Sequence, residues 1–278
     1  MDADAEFEAV RKDIAEGRLS DVSVKIKAIA ESTEDPFLVI KCISLQKAVG
    51  GGEALSALVG RLTSMSGKDA ETDYQMASAL LSLGFPSDAC SIAGSDDDRS
   101  LSLRARCLMG MGRPGSALEA IGRMASPSIS DRCLRSEALD ALGDHGAALK
   151  EAGMLLAGNP SDYGVRVRYV SALMSAGRKK EAVKFVRDGL KEKSADANAL
   201  AGYAMWVSGN VKSAGAYASR AVQMDQRHVG AMEVLGLCLA EKGEIPKARI
   251  VAGAINEVSP GDGAAVRILS YCEMKEGS

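Results

Sequence analysis

The sequence predicts an all-α chain: about eight helical hairpins stacked in series and closed by one further helix near 263–276. Three observations predict it. Glycines recur at Gly17, Gly50, Gly84, Gly112, Gly143, Gly177, Gly209, Gly243 and Gly277, at intervals of 28 to 34 residues. Five residues after six successive glycines stands an alanine (Ala89, Ala117, Ala148, Ala182, Ala214, Ala248), and four before them a long apolar residue (Leu80, Leu108, Leu139, Leu173, Met205, Leu239). Aromatic residues are only 4% of the chain while small residues abound, which suits close helix packing better than a β-sandwich.

Each hairpin follows from helix geometry. Apolar residues ahead of each glycine recur three to four apart, as in Leu235, Gly236 and Leu239, and mark one buried stripe. Small residues stand five before the glycines, with Cys107, Cys238 and Cys272 taking the place that alanine holds elsewhere. Glycine ends the helix because it adopts a left-handed backbone without steric cost. A second stripe follows, as in Ala248, Ala252 and Ile255. The alanine after the turn lets the two backbones approach closely.

In chain order, the first pair is placed at 4–16 and 19–32, with Asp35-Pro36 closing it. The second uses Phe37 to Val49 and Glu53 to Met65, around Gly50-Gly51-Gly52. The second helix of the third pair is short, starting near Pro86 and stopping before Gly94-Ser95-Asp96-Asp97-Asp98. That acidic loop is read as a discontinuity within a single array spanning 1–278, with 1–93 less regular and 99–278 regular. The alternative is that it divides two arrays. The final helix covers the last apolar surface, as an open stack requires.

This arrangement resembles the tetratricopeptide repeat family. Between Val229 and Asp262 the residues Met232, Leu235, Gly236, Leu239, Gly243, Ala248, Ala252, Ile255 and Pro260 occupy its signature places. Leu139, Gly143, Ala148, Ala152, Leu155 and Pro160 do so in the unit from Asp131 to Pro160. Arg104 and Arg135 depart from the pattern, standing where the family usually has a leucine-like residue. The resemblance implies a right-handed superhelical α-solenoid and a non-enzymatic scaffold that binds a peptide or protein in a concave groove lined by the first helices. Groove positions fall about three, six and ten residues before each turn glycine. They include Met174, then Tyr203 and Trp206, then Leu237, then Tyr271 and Met274. Earlier in the chain they include Arg106 and Met109, Glu137 and Asp140, with Phe7 and Tyr74 near the start. Trp206 is the single tryptophan, and it and Tyr203 have core packing between units as their alternative role. Some members clamp acidic chaperone tails with lysines and asparagines, but no matching lysines surround Asn198 and Asn210.

Charge narrows the partners. Thirty-four Lys and Arg against 37 Asp and Glu give a net charge of -3, which disfavours nucleic acid as a partner. Self-assembly into a homodimer is the alternative function, and single-stranded RNA binding of the pentatricopeptide kind is a weaker one. No apolar run of about 18 residues occurs, so no membrane insertion is expected. The opening residues are acidic and polar, unlike a secretory leader. The six cysteines are expected as free thiols in a cytoplasmic protein.

No catalytic, cofactor-binding or metal-binding constellation is expected. His145 and His228 are both placed at the surface, and Gly50-Gly51-Gly52 lacks the lysine of a phosphate loop. Asp96-Asp97-Asp98 lacks calcium-loop spacing and reads as a solvated loop. Arg178-Lys179-Lys180 and Lys191-Glu192-Lys193 read as solvated helix ends compensated by the helix dipole.

Overall fold

A computed structural model describes residues 3–67, 69–259 and 262–277. Pro260, expected to close its unit, lies outside them, as do Met1, Asp2 and Ser278. The described residues form α-helices with no strand. The chain divides into two compact units, Met1–Met111 and Gly112–Ser278, and the division falls one helix beyond the acidic loop.

The first unit contains α1 (Ala3–Ala15), α2 (Val22–Ser32), α3 (Pro36–Val49), α4 (Gly52–Ser64), α5 (Ala70–Ser82), α6 (Pro86–Ile92) and α7 (Asp98–Gly110). The second contains α8 (Pro114–Gly122), α9 (Ile129–Ala141), α10 (His145–Gly158), α11 (Tyr163–Ser175), α12 (Lys179–Gly189), α13 (Ala195–Val207), α14 (Val211–Met224), α15 (Val229–Glu241), α16 (Ile245–Val258) and α17 (Gly263–Glu276). Within the first unit the pairs α1–α2, α3–α4 and α5–α6 pack as expected, and within the second α9–α10, α11–α12, α13–α14 and α15–α16 do, with α17 at the expected place; α7 and α8 fall in different units. A short 3-10 turn, Leu190–Glu192, extends α12 and ends at Lys193, whose φ of 52° is left-handed. No periodic signal announces it.

The turns have a specific chemistry. Gly84, Gly143, Gly177, Gly209 and Gly243 have φ between 73° and 85°. The residue after each donates its N–H to the carbonyl of the long apolar residue four before the glycine: Phe85 to Leu80, Asp144 to Leu139, Arg178 to Leu173, Asn210 to Met205 and Glu244 to Leu239. This is a Schellman closure, so the apolar residue serves both the core and the helix end. Gly277 departs from the pattern, with a φ of -88°.

The alanines five residues on, Ala89, Ala117, Ala148, Ala182, Ala214 and Ala248, are all at most 1% exposed. Ser136 on α9 donates its hydroxyl to the Ala148 carbonyl at 2.8 Å. At Gly202 on α13, a Cβ would sit 3.2 Å from the Ala218 nitrogen and 3.3 Å from the Ala214 oxygen, a helix approach that leaves little room for a side chain. Cys107, Cys238 and Cys272 are buried like the alanines they replace.

Neighbouring hairpins of the second unit pack through their first helices, α9 on α11, α11 on α13, α13 on α15 and α15 on α17. Each second helix also leans on the following first helix. In the first unit one apolar core runs from Phe7 and Val10 of α1 to Leu103 and Cys107 of α7. Phe7, expected to line a groove, belongs to that core because α1 turns it onto α2 and α3.

The off-pattern arginines have local partners. Arg104 donates to the Ala93 carbonyl at 2.6 and 3.2 Å and so caps the end of α6. Arg135 and Arg132 both reach the buried carboxylate of Glu151, at 2.6 and 3.0 Å. In the acidic loop Asp97 is the N-cap of α7, accepting from the Ser100 N–H at 3.0 Å and from the Ser95 and Ser100 hydroxyls. The Ser95 hydroxyl, then the Ser100 N–H and hydroxyl, pull its carboxyl down to about 2.

Two predictions follow from these local structures. Gly243→Ala forces a side chain into left-handed backbone and costs about 1–2 kcal/mol, whereas Gly277→Ala stays within about 0.5 kcal/mol; urea unfolding of the two variants checks the contrast. A depressed carboxyl stabilises the fold above its unfolded value of about 3.9 and loses that contribution as pH falls toward about 2. Asp97→Ala should cost about 1 kcal/mol at neutral pH and flatten the acid limb of stability over that window, read by thermal melts from pH about 5 to 2.

Candidate functional site

Of the residues expected on the first-helix face, the structure brings some together and separates others. Trp206 of α13 and Tyr271 of α17 meet edge to face, ring centroids 5.7 Å apart and planes at 77°, reaching over the intervening α15. Both remain half-buried. Trp206 also packs on Ala214, Ala218, Val234 and Cys238. The Tyr271 hydroxyl donates to Glu241, which Lys275 also reaches at 2.8 Å, and the Lys275 ammonium lies 5.5 Å from the Tyr271 ring centroid. Leu237 joins Tyr271 in the apolar cluster of α15, α16 and α17. Tyr203 is half-buried between two clusters and shares a hydrogen bond with Ser171; burial pushes its phenol up. Met274 is 53% exposed near the end of α17. Arg106 is exposed on α7, in the first unit. Met174 lines a cleft between α11–α12 and α13–α14.

Beside the aromatic residues runs a buried polar layer. Arg168 of α11 reaches Asp140 of α9 at 2.5 Å, and His145 lies 2.7 Å from the same carboxylate. Burial alone would raise the Asp140 carboxyl, but hydrogen bonds from His145, Arg168 and Ser175 outweigh it and hold it below its ordinary value. Asp140 is therefore a structural anion, although its position is one expected to face a ligand.

His228 corrects an expectation. It is only 9% exposed, because it is the N-cap residue of α15 and is enclosed by Tyr163 of α11 and Asp196 of α13. Its Nδ1 accepts from the Ala231 N–H at 3.1 Å, which leaves the proton on Nε2, 3.0 Å from the Asp196 carboxylate. Tyr163 meets the imidazole edge-on at 4.7 Å and passes so close to Gly230 that a Cβ there would lie 2.5 Å from its ring. This trio was not legible as a unit; the small residue at Gly230 is its one trace in the sequence. His145, by contrast, is exposed as expected.

Asn198 and Asn210 do not face a ligand either. Asn198 is buried and donates to the Ser194 carbonyl, and Asn210 caps α14 by accepting from the Ser213 N–H. The six cysteines are free. Burial pushes the thiols of Cys42, Cys133 and Cys238 up to about 11 and that of Cys107 to about 12, so they are protonated at neutral pH rather than poised as nucleophiles. Among the described residues no group of three His, Cys, Asp or Glu side chains could hold a metal ion, and no helix is long and apolar enough to cross a membrane.

The cleft was not foreseen. Met174 of α11, Val183 and Val186 of α12, Met205 of α13 and Tyr217 of α14 line a cavity of about 360 Å³. It exists because Ala182, Ala201 and Ala204 meet there and leave space unfilled. A second hollow of about 550 Å³ shares Met174, Val183 and Ser208 with it and adds Lys179 and Val207.

No family model and no curated protein sequence matches the chain. Solved structures do resemble it. A tetratricopeptide repeat protein from Parabacteroides merdae aligns over 85% of this chain and 98% of its own, with a TM-score of 0.51 and 14% identity. MamA, from residue 41 to its end, from Desulfovibrio magneticus aligns over 59% of this chain and 96% of its own, with a TM-score of 0.34 and 18% identity. The chain thus has the tetratricopeptide repeat fold.

The Arg168–Asp140 pair gives a further prediction. Removing one partner of a buried ion pair leaves the other charge uncompensated, so Asp140→Ala should cost about 3 kcal/mol. Because the Asp140 carboxyl is depressed, the pair's stabilisation is full above the unfolded value of about 3.9 and fades below it. Urea titrations of wild type and Asp140→Ala at neutral pH and at pH about 3 should show the difference shrinking with acid.

Proposed function

We propose that the chain is a non-enzymatic cytoplasmic scaffold that holds a protein or peptide partner on the first-helix face of its hairpins. The observation that carries this reading is the Trp206–Tyr271 contact across α13 and α17, both rings half-buried. Paired aromatic side chains offer large area with few rotamers to freeze, the usual character of recognition anchors. Met174, Tyr203, Leu237 and Met274 are the other apolar contributors of the second unit; Arg106 belongs to the first-helix face of the first unit by itself. The repeat fold supports the reading by presenting a row of first helices whose outward positions are not needed for stacking.

Affinity capture from native extract tests it. Trp206→Ala and Tyr271→Ala should each abolish capture of the partner while circular dichroism stays unchanged. Because Trp206 is the single tryptophan, its emission should shift to the blue when the captured partner, once purified, is added to wild type. Undiminished capture by both variants, or dimerisation in light scattering that the same variants abolish, would overturn the proposal.

A further inference from the structure

The cleft between α11–α12 and α13–α14 lies outside the aromatic pair, and its surroundings carry a distinct charge. From Arg178 to Lys193 there are seven cations (Arg178, Lys179, Lys180, Lys184, Arg187, Lys191, Lys193) against three anions (Glu181, Asp188, Glu192). The chain as a whole is acidic, at -3. Glu181 is taken by Arg178, Asp188 by Lys191, and Glu192 by Arg166 of α11. Lys179, Lys180, Lys184, Arg187 and Lys193 are left with no carboxylate at ion-pair distance among the described residues.

Folding does not explain this charge. Lys179 and Lys180 occupy the first turn of α12, where the helix dipole is positive and cations are unfavourable. Dipole compensation, expected from the sequence, therefore fails for them; it suits only the cations at the other end. Lys180, Lys184, Arg187 and Lys191 follow one another four, three and four residues apart and so form a single stripe, about 100° round the helix from the cleft-lining stripe of Lys179, Val183, Val186 and Leu190. Arg187 and Lys179 themselves reach the cleft wall. An apolar opening is thus flanked by a row of cations, of which Lys191 is paired with Asp188 while Lys180, Lys184 and Arg187 make no direct ion pair, Lys184 and Arg187 feeling Asp188 only at longer range. At the opening, Val183 is 47% and Val207 43% exposed.

We propose that this cleft docks an acidic peptide segment whose bulky aliphatic or aromatic side chain enters between the hairpins while its carboxylates meet Lys180, Lys184 and Arg187. A cavity of about 360 Å³ is within the range of pockets that take small organic groups. Tyr217 is the one aromatic residue of the wall, and a single ring is no stacking platform for successive bases, so a peptide fits better than single-stranded RNA. A bilayer fits worse as well, because Ala182 and Val186 on the apolar side of α12 are already buried.

The test uses the full-length protein and fluorescence anisotropy with four probes. They are a short fluorescein-labelled peptide in which Glu and Asp flank two leucines, its twin with lysine for each acid, an oligouridylate, and phosphatidylserine vesicles. The acidic peptide should bind and weaken as salt rises. Lys184→Glu with Arg187→Glu should reduce its affinity at least about tenfold, as should Val183→Glu, which tests the apolar wall separately. Trp206→Ala should leave this binding unchanged, which separates the cleft from the first-helix face. Circular dichroism establishes that each variant is folded. No binding of the acidic peptide up to about 1 mM, equal binding of its lysine twin, or tighter binding of oligouridylate or vesicles would overturn the proposal. So would full affinity in the folded charge-reversal variant, or self-association that blocks the peptide and is lost in that variant.

Discussion

The hairpins that turn at Gly84, Gly143, Gly177, Gly209 and Gly243 depend on one close approach, between the first helix and the alanine that follows the turn glycine by five residues. With nothing beyond Cβ at Ala148, the Ser136 hydroxyl reaches the backbone oxygen of the facing helix. At Ala214 the approach is tighter still, and a glycine, Gly202, is what faces it. The left-handed turn sets the direction of the second helix, and the Schellman bond to the carbonyl four residues upstream fixes where the first one stops. Large side chains then fill the space between hairpins, as Leu173, Val186 and Leu200 do around Ala182.

That division of labour, small residues within a hairpin and large ones between hairpins, explains where the chain tolerates charge. Arg104, Arg135 and Arg168 all lie on first helices at half-buried or buried places, and each finds an acceptor on another segment: the end of α6, Glu151 of α10 and Asp140 of α9. The long arginine stem covers apolar surface while the guanidinium reaches a carbonyl or carboxylate. It also explains the cleft. Beside Ala182, Ala201 and Ala204 the larger side chains Met174, Val186, Met205 and Tyr217 line the gap without filling it, and a volume remains open.

Much of the candidate first-helix face was legible because its positions follow from the turn glycines. Trp206 and Tyr271 were assigned to the same face from spacing alone, and the structure sets their rings in contact. Phe7 and Asp140 had the same spacing and proved structural, one in the core of the first unit and one in an ion pair. Spacing gives the side of a helix but not what stands opposite it.

The amino-acid sequence by itself determined the order of the helices, the left-handed turns, the buried alanines and the terminal helix. These depend on residues a few positions apart, where backbone stereochemistry and helix periodicity decide the outcome. Only the tertiary structure decided that His228 is enclosed by Tyr163 and Asp196, that Met174 lines a cleft, and that a basic stripe borders that open apolar cleft. Those features join side chains from helices far apart in sequence, and their meeting is set by packing distances and angles that no single stretch of chain encodes.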